Sequence, residues 1–125
     1  MTARRDRVLV VDDAANLREL LTVLLEVEDD FEVVGTAADG QEAINAAGRL
    51  QPDVVLLDLA MPVMDGLQAL PAIREQLPEA RIVIFSGYEH QELADEALKY
   101  GADLYIEKGT TVTQLVDQLR GLRDD

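Results

Sequence analysis

The run Val54-Val-Leu-Leu57 lies near the middle of the sequence and is followed directly by Asp58. The run is short, apolar throughout and without alternation of apolar and polar residues. Such a pattern is typical of a parallel β-strand that is buried on both faces. Four further runs are mostly apolar and mostly without alternation: Arg7 to Val11, Phe31 to Thr36, Ile82 to Phe85 and Leu104 to Ile106. The sequence therefore predicts five strands of a parallel sheet.

Helical patterns fill the segments between these runs, with no linker or low-complexity stretch. The i, i+3, i+4, i+7 spacing marks two amphipathic helices, one through Leu17, Leu20, Leu21 and Leu24 and one through Val112, Leu115, Val116 and Leu119. Weaker patterns cover Gln41 to Leu50, Leu67 to Leu77 and Gln91 to Tyr100. Pro71 should distort the first turn of its helix. Alternating strands and helices predict a doubly wound α/β fold with strand order 2-1-3-4-5 and five helices.

The composition limits the classes of protein to which the chain can belong. Its 125 residues, 48% of them hydrophobic, suffice for one compact domain, so we take residues 1–125 as a single domain. With 25 acidic against 11 basic side chains, the formal net charge of -14 would repel nucleic acid and an anionic membrane surface. There is no cysteine, and the first apolar run is too short for a signal peptide or a membrane span. We therefore predict a cytoplasmic protein that does not bind nucleic acid directly.

The single histidine, His90, lies in the polar stretch Gly87-Tyr-Glu-His-Gln-Glu92. One histidine excludes a zinc helix that needs two, and it is the one candidate for a serine-histidine-aspartate triad. The favoured interpretation is an exposed histidine at the start of a helix.

Polar residues follow the predicted strands on one edge of the sheet. Asp12 and Asp13 follow the first strand, Asp58 the third, Ser86 the fourth and Lys108 the fifth. Taken singly, these residues have simpler interpretations as helix caps, a turn residue and a solvated charge. Neighbouring strands lie about 4.8 Å apart, however, so the carboxylates of strands one and three should face each other. A hard divalent cation relieves that repulsion, and Mg2+ suits a shallow site with two or three carboxylates.

The same residues suit phosphoryl transfer. A carboxylate can act as a nucleophile and form an aspartyl phosphate, and Asp58 is the candidate because it would face both Ser86 and Lys108. The Lys108 ammonium would contact one phosphate oxygen, and the Ser86 hydroxyl would donate a hydrogen bond to another.

Four motifs together resemble the receiver domain of bacterial two-component response regulators. They are Val10-Val-Asp-Asp13, Leu57-Asp-Leu-Ala-Met-Pro-Val-Met-Asp-Gly66, Phe85-Ser-Gly87 and Gly101-Ala-Asp-Leu-Tyr-Ile-Glu-Lys108. The resemblance runs from about Arg7 to Leu122. It implies the flavodoxin-like receiver fold and a signalling switch that is phosphorylated by a histidine kinase or a phosphotransfer protein, rather than an enzyme acting on a separate substrate.

The resemblance also implies roles for single residues. Asp58 would be the phosphoacceptor, and Mg2+ would be held by Asp13, Asp58 and the backbone carbonyl of Ala60, with Asp12 assisting. Ser86 would be the switch hydroxyl, Lys108 the phosphate-binding lysine and Tyr105 the aromatic residue that turns inward on activation. The face formed by the fourth helix, the fifth strand and the fifth helix would then contact a downstream output protein or domain, or a second copy of the chain.

The sequence departs from the family pattern after Lys108, and two residues near the predicted site bear on the lifetime of the phosphorylated state. Gly109 stands where the family commonly has a proline after the lysine, which leaves a cis or a trans peptide after Lys108 as alternatives. Ala60 and Tyr88 lie two residues beyond Asp58 and Ser86, where they should flank the path of an attacking water. Because Ala60 cannot orient water and Tyr88 would exclude it, we predict slow self-dephosphorylation.

Other functions fit the sequence less well. A flavin binder of this fold would offer hydroxyls and backbone donors after the first strand, where this chain has Asp12 and Asp13. An aspartate-nucleophile phosphatase would need a second aspartate at position 60. Two alternatives stay open at this point: an interaction module that works without phosphorylation, and the N-terminal part of a longer DNA-binding response regulator.

Overall fold

The computed structural model describes residues 5–123, except for the side chain of Tyr88. Within this range five strands form one sheet: β1 Asp6–Val11, β2 Phe31–Ala37, β3 Val54–Leu57, β4 Arg81–Ser86 and β5 Leu104–Glu107. The α-helices that alternate with them are α1 Ala15–Glu26, α2 Gly40–Leu50, α3 Gly66–Gln76, α4 Ala94–Lys99 and α5 Val112–Gly121. A 3-10 turn, Tyr88–Leu93, leads into α4.

The strands are parallel, and their order is β2-β1-β3-β4-β5, which confirms the predicted topology. Alternate side chains of each strand point to opposite faces, so the sheet separates two hydrophobic clusters. One cluster joins Leu9 and Leu57 to helices α2, α3 and α4, and the other joins Val8 and Leu56 to α1 and α5. All four of these strand residues are almost completely buried, which explains why the strands show no polar alternation.

Helix α1 forms where the leucine spacing predicts it, but one leucine of the predicted stripe, Leu20, lies outside the buried face. Leu21 and Leu25 are buried against the sheet, whereas Leu20 is 52% exposed. Leu20 was expected on the buried stripe. The face of α1 that packs on the sheet is narrow. It contains Leu21 and Leu25, which are one helical turn apart, and Leu20 lies beside it.

The other helices differ from the sequence prediction in three places, the simplest of which is Val112 of the α5 stripe, which is 37% exposed. Helix α3 continues as an α-helix across Pro71, and its first turn is closed by a capping box between Asp65 and Gln68, so the expected distortion of that turn is not seen. Pro71 lies on the exposed face, where a carbonyl without its helical partner can bond to water. The segment predicted as one helix from Gln91 to Tyr100 is divided into the 3-10 turn and a short α4, of which Ala97 alone is buried.

Two arginines, Arg120 in the last turn of α5 and Arg123 just after the helix, bind the end of α5 to the amino-terminal edge of the sheet. Arg120 donates to Asp30 and Glu28, and Arg123 donates to Asp6 and pairs with Asp30. Both guanidinium groups also lie over the Phe31 ring. The hydrogen bond from Arg120 is the main reason that the pKa of Asp30 lies far below its ordinary value. Burial opposes this shift, and Arg123 reinforces it. The polar residues that follow the strands lie at the opposite edge of the sheet, where the strands have their carboxyl ends.

Candidate functional site

Two buried carboxylates lie side by side at the carboxyl edge because β1 and β3 are neighbours. Val11 pairs with Leu57, and the amide of Asp58 donates to the Val11 carbonyl at 3.0 Å. Asp12 and Asp58 then follow their strands at the same level and are only 2% and 3% exposed. Asp13 is exposed, yet one oxygen from each of the three carboxylates lies within 4.8 Å of the others.

Lys108 reaches this acidic cluster from the end of β5. Its Nζ lies 2.7 Å from Oδ2 of Asp12 and 3.0 Å from Oδ2 of Asp58. The backbone is fixed as well, because the Lys108 amide donates to the Ser86 carbonyl at 2.8 Å. Burial by itself lowers the pKa of Lys108, but the hydrogen bonds and charges of Asp12 and Asp58 outweigh burial and leave this pKa above its ordinary value. Lys108 is therefore an ammonium ion in this site at neutral pH.

Ser86, at the end of β4, completes the surroundings of Asp58. Its hydroxyl is fully buried and donates to Oδ1 of Asp58 at 2.9 Å. The backbone amide of Ala60 donates to the same oxygen at 3.2 Å. Each carboxylate oxygen of Asp58 thus has a donor of its own, Ser86 on Oδ1 and Lys108 on Oδ2.

The loop from β3 to α3 depends on a glycine. Gly66, the first residue of α3, donates its amide to the Leu59 carbonyl at 3.1 Å, so the start of the helix lies directly against the backbone that follows Asp58. A Cβ at this position would lie 2.0 Å from the carbonyl oxygen of Asp58. This close approach of two backbone segments requires glycine.

The cluster has the chemistry of a site for a hard cation. Three carboxylates face one ammonium group, so the local charge is negative even with Lys108 in place. Carboxylate and backbone carbonyl oxygens are the ligands that Mg2+ takes, and the exposed position of Asp13 and Ala60 leaves that side of the cluster open to water molecules. Asp12, Asp13, Asp58 and the Ala60 carbonyl therefore fit the ion that the sequence predicts.

A sequence profile of the response regulator receiver domain matches residues 8–120. The chain belongs to this family of receiver domains. The match covers all five strands except the first two residues of β1, and it includes every residue of the acidic cluster.

Relatives and solved structures agree with this assignment. The receiver is 41% identical to the nitrate/nitrite response regulator protein NarL of Escherichia coli K12, over 90% of this chain and 52% of NarL. It is 46% identical to a protein-glutamate methylesterase/protein-glutamine glutaminase of Caldanaerobacter subterraneus, over 93% of this chain and 32% of that protein. The chain thus spans about half or less of the length of these curated relatives.

Two solved structures cover nearly the whole receiver. The response regulator domain of Thermotoga maritima CheB superposes with a TM-score of 0.87 at 34% identity, covering 94% of this chain and 96% of that one. The CheX-CheY-BeF3-Mg+2 complex of Borrelia burgdorferi gives a TM-score of 0.90 at 29% identity, covering 99% and 93%. The receiver fold is therefore confirmed by sequence and by structure.

Tyr105, the predicted switch aromatic of the receiver, lies on β5 beside the end of β4. Ile84 pairs with Tyr105 in the sheet, and the phenol donates to the Gly87 carbonyl at 3.1 Å, so the half-buried ring is tied to the loop that follows Ser86. Burial is the main cause of a raised Tyr105 pKa, and the charges of Glu107, Glu89 and Asp58 add to it. The phenol is therefore neutral at physiological pH and able to donate this hydrogen bond.

The structure brings together five of the predicted site residues: Asp12, Asp13, Asp58, Ser86 and Lys108. Ala60 follows on the exposed side. The Tyr88 side chain lies outside the described part of the chain, so its predicted role in excluding water stays a prediction. The peptide between Lys108 and Gly109 is trans.

One neighbour of the site was not predicted to be there. His90, interpreted from sequence as an exposed residue, has its Nδ1 atom 3.3 Å from Oγ of Ser86. It comes close because the 3-10 turn starts two residues after Ser86, and its first hydrogen bond joins the His90 amide to the Gly87 carbonyl at 3.1 Å. The four-residue spacing of Ser86 and His90 in a tightly wound segment is the signal that could have revealed the contact.

Proposed function

We propose that this receiver accepts a phosphoryl group on Asp58 in two-component phosphorelay signalling. The observation that carries the proposal is the buried carboxylate of Asp58, with the Ser86 hydroxyl on one oxygen and the Lys108 ammonium on the other. A hydroxyl and an ammonium facing one carboxylate from two different strands are suited to bind the phosphoryl oxygens that would arrive there.

The chemistry is transfer of a phosphoryl group from a phosphoramidate or an acyl phosphate donor to a carboxylate. An Asp58 oxygen attacks the phosphorus atom, the bond from phosphorus to the donor's nitrogen or oxygen breaks, and an aspartyl phosphate forms. Ser86 and Lys108 already donate to Asp58, so a short movement of each group would bring it onto the phosphoryl oxygens, where it stabilises their charge. We expect a histidine kinase or a phosphotransfer protein to be the donor.

A bound Mg2+ is part of this proposal, with Asp12, Asp13, Asp58 and the Ala60 carbonyl as its ligands. When bound, this ion would neutralise the charge shared by the carboxylates and the incoming phosphoryl group. The proposal is supported by the clustering of the three carboxylates within 4.8 Å. We expect labelling of Asp58 to require Mg2+.

In this proposal the receiver is a phosphoacceptor that assists its own phosphorylation and dephosphorylation, and it does not turn over a separate substrate. It would act in the cytoplasm. No helix in residues 5–123 has the length and apolar character needed to span a membrane.

The signal would leave through Ser86 and Tyr105. Movement of the Ser86 hydroxyl toward a phosphoryl group would shift the loop whose Gly87 carbonyl holds the Tyr105 phenol. The partner, an output domain or protein or a second copy, would then read the face formed by α4, β5 and α5. NMR with beryllofluoride and Mg2+ tests this: amide shifts should extend from the site to Tyr105 and α4, and shifts confined to the metal loops would contradict the proposed transmission.

An interaction module that works without phosphorylation is the less favoured alternative, because it would have no need of the complete set of Asp12, Asp13, Asp58, Ser86 and Lys108 around one buried site. Titration with Mg2+ and beryllofluoride separates the two functions. Saturable binding of beryllofluoride supports the phosphoacceptor, and failure to bind supports the alternative.

The direct test is labelling of the Asp58→Asn variant by acetyl phosphate. We expect acid-labile, Mg2+-dependent incorporation of phosphate into the wild type and at least a hundredfold less into the variant, because an amide lacks the nucleophilic oxygen anion. Asp117→Asn is the matched control, since Asp117 lies on the exposed side of α5 away from the site. Full labelling of Asp58→Asn would refute the proposal.

A further inference from the structure

His90 is a second side-chain neighbour of the switch hydroxyl, in addition to Asp58. The imidazole is carried by the 3-10 turn after β4, its side chain is 27% exposed, and its Nδ1 atom lies 3.3 Å from Oγ of Ser86. The hydroxyl therefore contacts both a carboxylate, at 2.9 Å, and an imidazole, at 3.3 Å.

Counting protons gives the direction of both hydrogen bonds. A serine hydroxyl has one proton and two lone pairs, and a carboxylate can only accept. The Ser86 proton therefore points to Oδ1 of Asp58, which leaves a lone pair toward His90. Nδ1 of His90 must carry a proton and donate it to Ser86.

We propose that His90 is a positioning residue for phosphoryl transfer. With the Nδ1 proton directed at one of its lone pairs, the Ser86 hydroxyl cannot turn and donate to His90. Its own proton stays directed at Asp58, where it meets the phosphoryl oxygens. This inference rests on the proposed phosphoacceptor function of Asp58.

A second contact offers a competing role for His90. Its Nδ1 atom also lies 3.6 Å from Oε1 of Glu89, which is 73% exposed. A contact of this length between exposed groups contributes little. The shorter contact with the fully buried Ser86 hydroxyl is the one that acts on the site.

The test compares phosphorylation rates with acetyl phosphate and Mg2+ in the wild type, His90→Ala and two amide variants. We expect His90→Ala to be slower by about two- to tenfold, the effect of one lost neutral hydrogen bond. His90→Asn should recover much of the rate, because its amide nitrogen takes the place of Nδ1, while His90→Gln should not. His90 is partly exposed, so all variants should unfold at denaturant concentrations close to that of the wild type.

A double-mutant cycle with Ser86→Ala isolates the coupling. Adding His90→Ala to Ser86→Ala should leave the rate of the single Ser86→Ala variant unchanged, because the hydroxyl that His90 positions is gone. Glu89→Ala is the control and should keep the wild-type rate within about twofold.

Three results would overturn the inference. These are a wild-type rate in His90→Ala, an equal loss on the Ser86→Ala background, and histidine side-chain NMR that finds Nδ1 unprotonated at neutral pH. If the wild type itself takes no phosphate, the proposed function has failed instead, and the NMR result still decides whether His90 donates to Ser86.

Discussion

Replacement of Gly66 by alanine tests how closely the start of α3 is packed against the phosphoacceptor. The added Cβ would lie 2.0 Å from the carbonyl oxygen of Asp58, 2.9 Å from its carbonyl carbon and 3.1 Å from the Cα of Leu59. All three neighbours are backbone atoms, so no side chain can rotate away. The β3–α3 loop must move by about 1 Å to bring the first contact to 3.0 Å, the lower limit of real contacts of this kind.

The movement has a cost in stability and in activity. The strain of overpacking is about 1–3 kcal/mol, and the hydrogen bond from Gly66 to the Leu59 carbonyl, already 3.1 Å long, would be lost at a cost of about 1 kcal/mol. We expect Gly66→Ala to lower the free energy of unfolding by about 2–4 kcal/mol. Because the displaced backbone is that of Asp58 itself, phosphorylation should slow by up to about a hundredfold.

Urea unfolding followed by far-UV circular dichroism measures the first effect, and acetyl phosphate labelling of the folded variant measures the second. Gly121→Ala is the matched control: it lies at the exposed end of α5, and a Cβ there would meet nothing within 4 Å. It should be neutral or stabilising by up to about 1 kcal/mol, as the helix propensity of alanine requires. A Gly66→Ala variant within about 0.5 kcal/mol of the wild type and with full labelling would refute the reasoning, since surface changes have effects of that size.

Two further predictions concern signal lifetime and acid stability. Ala60→Asn, which adds an amide that can orient water, should shorten the phosphorylated lifetime by about tenfold, and addition of Tyr88→Ala should shorten it further; equal rates of phosphate loss in the wild type and both variants would show that neither side chain controls water access. The lowered pKa of Asp30 stabilises the fold at neutral pH, and this stability is lost as pH falls below the ordinary carboxyl value of about 4. Asp30→Asn should therefore be less stable than the wild type at pH 7 and lose less stability on acidification, which urea unfolding at several pH values would measure; parallel pH profiles would contradict the assigned role of Asp30.

The topology of the sheet and the position of the acidic cluster can be predicted from the sequence because few alternative arrangements of the strands are possible. Five mostly apolar, mostly unalternating runs identify the strands, and right-handed crossovers then bring the ends of β1, β3, β4 and β5 to one edge. Asp58 and Lys108 are 50 residues apart in the chain, yet their contact is implied once this edge is known.

The features that the sequence did not predict depend on details of packing, and the periodic spacing of apolar residues contains no information about these. Leu20 satisfies the helical spacing as well as Leu21 does, and only the position of α1 on the sheet decides which of the two is buried. The contact of His90 with Ser86 depends on the winding of a six-residue 3-10 turn that has little apolar content of its own. The identity of the output partner lies beyond both sequence pattern and fold, since one receiver fold serves many outputs.

The division of the core by the sheet has a consequence for how substitutions combine. Ile73 and Leu119 belong to different clusters, so their effects on stability should add, whereas Ile106 and Leu119 share a cluster and should couple. At the edge strand β5, consecutive residues belong to opposite sides: Tyr105 packs with the cluster under α4, and Ile106 with the cluster under α5. Substitutions in the α4 half and in the α5 half of this face should therefore have nearly independent effects on stability. The short strand β5 contributes residues to both halves, so it is the element that can couple them.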